Sequence, residues 1–133
     1  MDDVNVRVET LINPTESEAK VKTAVETIFG SIAMKFEPLR KGRLLVVEAK
    51  GLETLTNLQN LLRRERIRSA ARKVLFEGIM ENAIRFCLNK QVAYAGHISF
   101  AEEVGESPLG PIKVRIECEN PRELINWLAP KKV

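Results

Sequence analysis

The residues whose types suit recognition chemistry gather in one short stretch, Arg63-Arg64-Glu65-Arg66-Ile67-Arg68-Ser69-Ala70-Ala71-Arg72-Lys73. It holds six basic side chains and one acid, a local charge of +5. The whole chain carries only +3, so everything else sums to −2. A positive excess confined to one segment is what an electrostatic partner responds to. If residues from Arg64 onward are helical, Arg64, Arg68 and Arg72 recur every fourth position and form a ridge. That ridge runs beside the apolar stripe of Ile67, Ala71, Val74 and Leu75, with Arg66 and Lys73 on the other flank. Arginine outnumbers lysine here, and its planar fork matches phosphate geometry. The pattern points to nucleic-acid backbone neutralised by Arg64, Arg68 and Arg72, with Arg63, Arg66 and Lys73 in support. The alternative is a solvated helix face whose arginines pair with Glu65, Glu77 or acids of other elements. Aromatic residues make up 5% of the chain, and no ring-bearing strand motif for stacking bases is visible.

Three other segments are candidates. In Asn89-Lys90-Gln91, the side chains of Lys90 and Gln91 offer polar contacts to a phosphate or a ribose. The alternative reading there is a helix cap and a turn. Arg40, Lys41 and Arg43 in a predicted hairpin would extend the basic patch. Ser107-Pro108-Leu109-Gly110-Pro111 reads as a stiff turn entering a strand, the alternative being a rigid loop that presents a binding surface.

The remaining inventory excludes much. His97 is the only histidine, and Cys87 and Cys118 are the only cysteines. That is too little for a tetrahedral zinc site, and nothing marks His97 as the base of a nucleophile. No glycine-rich phosphate loop is present. Glu102, Glu103 and Glu106 sit in a polar loop without an accompanying ligand set. The expectation is a protein without catalysis, metal or cofactor. No apolar run approaches the ~20 residues that span a bilayer, and Met1-Asp2-Asp3 does not open a signal peptide. A membrane partner is therefore not expected, and a soluble cytoplasmic protein with reduced thiols is.

With 133 residues, 44% hydrophobic and 29% charged, the chain suffices for a single domain with a real core. Strict alternation in Val4-Asn5-Val6-Arg7-Val8-Glu9 predicts a half-buried first strand, ended at Asn13-Pro14. Thr15 with Glu18 reads as a capping box before a helix built on Val21, Ala24, Val25 and Ile28 and closed by Gly30. Strands over 32–37 and 43–49 form the hairpin. Leu52 to Gly78 contains two apolar stripes whose phase breaks near Arg64-Glu65-Arg66, predicting two helices with a joint there, or one kinked helix. A strand over 84–88, a short helix capped by Asn89 and ended at Gly96, and a strand over 97–100 follow. The last strand covers 112–117. The last helix begins at Asn120-Pro121, with Trp127 packing it against the core or a subunit interface. Strands separated by a hairpin and helix pairs predict an α+β fold: two layers, a mostly antiparallel sheet with helices on one face.

The ordered set Asn13-Pro14-Thr15-Glu16-Ser17, the arginine-rich helix, Leu88-Asn89-Lys90-Gln91 with Ala93 and Gly96, and Ser107-Pro108-Leu109-Gly110-Pro111-Ile112 resembles the archaeal UPF0201 family. The resemblance runs from about Val4 to Pro130. The family is described as predicted RNA-binding or exosome-associated proteins. The resemblance implies a fold similar to the large-subunit ribosomal protein that binds 5S ribosomal RNA. It also implies RNA as partner, a homodimer and an archaeal cytoplasm. It carries over no catalytic residues. Together with the charge pattern it gives a non-catalytic RNA-binding protein. The alternative is a protein-interaction or structural module, docking on a second subunit or an acidic protein.

Overall fold

Alternation in the first segment becomes strand β1, Asn5–Ile12, with Val6, Val8, Thr10 and Ile12 buried and the residues between them facing outward. The computed structural model describes residues 3–102 and 109–131. After β1, Asn13-Pro14-Thr15-Glu16 is a turn, closed by the Glu16 amide donating to the Asn13 carbonyl at 2.9 Å. Proline fits the second position of such a turn. Helix α1 therefore spans Glu18–Phe29, and its cap is Ser17, whose hydroxyl accepts from the Lys20 amide. The Thr15–Glu18 capping box is corrected: Thr15 is consumed by the turn, and the helix starts two residues after it should. Gly30 closes α1 at φ 75°, as expected.

Strands β2 (Lys35–Pro38) and β3 (Arg43–Lys50) form the hairpin, β2 starting later than the apolar pattern suggested. Gly42 sits at φ 77°, where a Cβ would lie 2.2 Å from the Ile12 carbonyl oxygen. Only glycine fits there. A 3₁₀ turn at Leu52–Leu55 leads into α2 (Thr56–Arg64), and α3 follows (Arg68–Glu77). The two-helix reading of this stretch holds. A two-residue strand β4 (Ile79–Met80) was not foreseen; it pairs with β5 (Ala83–Leu88) across Glu81-Asn82. Helix α4 spans Lys90–Tyr94, capped by Asn89, whose side-chain oxygen accepts from the Val92 amide. β6 (Phe100–Ala101) lies later than the predicted strand, and His97 is in the loop before it. Strand β7 (Ile112–Glu117) and helix α5 (Pro121–Leu128), capped by Asn120, match their sequence signals. Of the acidic loop and the stiff turn, residues 103–108 lie outside the described residues.

The sheet runs β2-β3-β1-β7-β5-β4, with β6 also on β5, and every pairing is antiparallel. Its core face carries Val6, Val8, Val47, Ile84, Val114 and Ile116. The helices cover that face with Val25, Ile28, Leu58, Leu62, Leu75 and Leu124. The protein is thus α+β in two layers, with the other sheet face open. The layers place α3 against β5 and α5, and α2 between α1 and α5.

Candidate nucleic-acid interface

The basic surface is built around a joint. Helix α2 ends with the Ile67 amide donating to the Leu62 carbonyl at 3.3 Å and the Arg66 amide to the Arg63 carbonyl at 3.1 Å. These are the two reverse hydrogen bonds of a Schellman ending, and they need a left-handed residue between them. That residue is Arg66, at φ 58°. Glycine is the residue such a position favours, because any side chain there is strained. The break turns the chain between Arg64 and Arg68, so the continuous ridge of Arg64, Arg68 and Arg72 does not form. Arg63 and Arg64 end α2; Arg66 is in the joint; Arg68, Arg72 and Lys73 belong to α3.

Two contacts hold the joint to the loop after α4. The His97 Nδ1 lies 2.8 Å from a Glu65 carboxylate oxygen, and Arg64 reaches the Gly96 carbonyl at 3.4 Å. Arg63 bonds the Asn60 side chain one turn back. Arg66, Arg68 and Lys73 have no side-chain partner among the described residues, so their charge is unspent.

Along α3, Arg68, Arg72 and Phe76 follow one another at every fourth position, where side chains share a face. Arg72 donates to the Ala129 carbonyl at 3.2 Å, at the end of α5. Its guanidinium also lies 4.9 Å from the Phe76 ring centre, and that of Arg122, from α5, lies 5.7 Å from the same centre. The ring's negative face attracts both cations. Arg122 and Phe76 were missed by sequence reasoning. The Arg72–Phe76 spacing was legible, but nothing in the sequence says that α5 delivers a second arginine to that ring.

Lys90 is corrected outright. It is 4% exposed, and its ammonium is enclosed by the carbonyls of Leu11 (2.7 Å) and Leu109 (2.9 Å) and the carboxylate of Glu16 (3.0 and 3.3 Å). Asn13 completes the cluster: its backbone and side-chain N–H groups both donate to Glu16, and its side chain also reaches the Leu109 carbonyl. Burial alone would raise the Glu16 carboxyl. The hydrogen bonds from Asn13 and Lys90 outweigh it and hold that carboxyl below its ordinary range. A buried ammonium survives only when its donors are satisfied, and here they are. Lys90 is therefore a clasp between the end of β1, the turn before α1, the start of α4 and the approach to β7. Gln91, next to it, is exposed.

The hairpin cations do not join the patch either. β2 lies four strand spacings from β5, about 19 Å, and α3 packs at the β5 side. Arg43 pairs with Glu18 and stacks over Phe36, while Arg40 and Lys41 are exposed at the hairpin tip. Cys118 is buried, and burial pushes its thiol up, as befits a small apolar residue. Trp127 packs against the core, and its carbonyl accepts from the Gln59 side chain at 2.8 Å.

Fold and surface together define a class: a two-layer α+β protein with one open sheet face and a basic surface concentrated on two helices and their joint. A family model described as RNA binding matches residues 5–118. A UPF0201 protein of Sulfurisphaera tokodaii is 44% identical over 124 residues, covering 93% of this chain and 86% of that one. A UPF0201 protein of Pyrobaculum islandicum is 38% identical over 129 residues, covering 95% and 90%. The crystal structure of a UPF0201 protein from Methanococcus jannaschii superposes with a TM-score of 0.84 at 34% identity, covering 95% of this chain and 99% of that one. The chain belongs to the UPF0201 family, as its motif set indicated. No helix among the described residues is long and apolar enough to cross a membrane.

Proposed function

We propose that this protein binds RNA through its phosphate backbone, without acting on it chemically, using the surface formed by the end of α2, the joint and α3. Arg64, Arg66 and Arg68 make the principal contacts; Arg63 and Lys73 support them, and Arg72 and Arg122 flank them on the Phe76 ring. The description of the family model supports the choice of RNA. The observation that carries the site is Arg66. Its φ of 58° favours glycine, yet the chain keeps an exposed, unpartnered guanidinium there. Backbone strain at an exposed cation supports a role for that cation in binding.

The test is fluorescence anisotropy with structured RNA, single-stranded RNA and duplex DNA at low and moderate salt. RNA-preferring binding that weakens with salt is expected, with each phosphate contact adding roughly 0.7–0.9 to the logarithmic salt slope. Changing Arg64, Arg66 and Arg68 to alanine should reduce that slope. Unaltered affinity and slope in a folded variant would refute the proposal.

A second reading draws on the contacts that already hold Arg72 and Arg122 to the protein itself. In it the basic surface docks on a second copy or an acidic protein. It requires that the parent bind no RNA and that the same variant lose self-association in sedimentation.

A further inference from the structure

Phe76, the ring on the helical surface, already carries two guanidiniums. A second ring stands at the other end of the joint. Tyr94, the only tyrosine, is the last residue of α4 and is 47% exposed. It is not among the apolar residues packed on the core. A single exposed ring means little by itself; its surroundings decide what it can do. The Lys20 ammonium, from α1, lies 5.5 Å from the ring centre, so a cation covers one face. Gln91 stands one turn earlier on the same side of α4 and is exposed.

Two helix ends tie this ring to the joint. Helix α4 closes as α2 does. The His97 amide donates to the Val92 carbonyl at 3.1 Å and the Gly96 amide to the Ala93 carbonyl at 3.0 Å, around a left-handed residue, here Gly96 at φ 95°. The two endings meet: Arg64 donates to the Gly96 carbonyl, and the Glu65 carboxylate lies against the His97 imidazole. Tyr94 is two residues from Gly96, so its Cα is within about 7.6 Å of the Cα of the residue that Arg64 contacts. Arg64, Tyr94 and His97 are all exposed. Glu65, the acid between them, is engaged by His97. The ring and the cations of the joint thus belong to one short stretch of surface on a frame held by two contacts.

We infer that Tyr94 stacks an unpaired base of the bound RNA, with Lys20 and Arg64 meeting the phosphates next to it. The inference rests on the RNA reading above and narrows it to single strands and loops, whose unstacked bases can be splayed out onto a ring. Stacking of this kind is indifferent to sequence, because every base has a π face. It also leaves a signature distinct from that of the arginines. Phosphate contacts release counterions and set the salt slope, whereas an uncharged ring adds affinity without changing it.

The test is fluorescence anisotropy of the whole protein with a short oligouridylate carrying one 5-iodouridine, and with a blunt, fully paired RNA duplex. Tyr94→Ala, a change at an exposed position, should weaken the oligouridylate about tenfold at an unchanged salt slope. It should leave the duplex alone, and Tyr94→Phe should bind as the parent does. Irradiation of the parent complex should cross-link the iodouridine to the peptide that holds Tyr94. A Tyr94→Ala variant that binds the oligouridylate like the parent, or that loses duplex affinity equally, overturns the ring's role and leaves the phosphate surface standing. A lower salt slope in that variant also overturns it, because the ring would then be holding a cation rather than a base. A parent that binds neither RNA overturns both readings.

Discussion

Lys90 and Arg66 are both basic residues next to a helix end, and the molecule uses them in opposite ways. The Lys90 ammonium is enclosed by two carbonyls and one carboxylate, so every donor has its acceptor inside the protein. Arg66 sits in a backbone conformation that resists it and points its charge at nothing in the described structure. Satisfaction separates a structural cation from a recognition cation better than sequence context does. The buried one holds segments together; the exposed one has no side-chain partner among the described residues and is the cation we propose meets RNA.

The comparison is broken most severely by Lys90→Met. That change leaves the Glu16 carboxylate buried without its counter-ion, and chemical denaturation should register a loss of about 3–5 kcal/mol. Combining it with Glu16→Gln should recover part of the loss, because no charge is then stranded. If Lys90→Met instead leaves stability intact and lowers only RNA affinity, the two roles have been assigned the wrong way round.

Next in size is the acid response of the same cluster. The Glu16 carboxyl is held below its ordinary range in the folded protein, so its contribution is present above the unfolded value of about 4.3. It is lost as pH falls through the lower folded value. Stability followed from pH 6 down to pH 2 should therefore fall less in Glu16→Gln than in the parent. Equal acid limbs would mean that the clasp contributes no ionic stabilisation.

Arg66→Gly sharpens the contrast from the other side. Relief of left-handed strain, offset by glycine's extra chain entropy, should leave stability unchanged or raise it by up to about 1 kcal/mol. RNA affinity should drop together with the salt slope. A glycine variant that is less stable would show that Arg66 has a structural partner after all. The smallest effect is expected for Arg40→Ala with Lys41→Ala. These cations are exposed at the far edge of the sheet, and their removal should change stability by less than about 0.5 kcal/mol and RNA affinity least of all the basic sites.

The sequence made the secondary elements and the joint legible for a local reason. β1, β7, α4 with Asn89, α5 with Asn120-Pro121 and the break at Arg64-Glu65-Arg66 are all written in alternation, caps and phase, which act over a few residues. Misreadings occurred where two local signals competed. Thr15 and Ser17 are both good caps, and only the turn formed by Asn13 and Glu16 decides between them. Two-residue strands such as β4 exist because β5 is there to pair with, so they leave almost no signal of their own.

Composition and periodicity by themselves determined the α+β class, the break within the basic stretch and the concentration of charge there, because those depend on residue type and short spacing. Tertiary structure alone decided which charges are available. It brought Asn13, Glu16, Lys90 and Leu109, distant in sequence, into one buried cluster. It set Arg122 beside Phe76, moved the hairpin to the opposite edge, and aligned Arg7, Arg115 and Arg85 in one row. Each of these depends on strand register or helix packing between segments far apart in the chain, and the free energy of a charge depends on what surrounds it rather than on what precedes it.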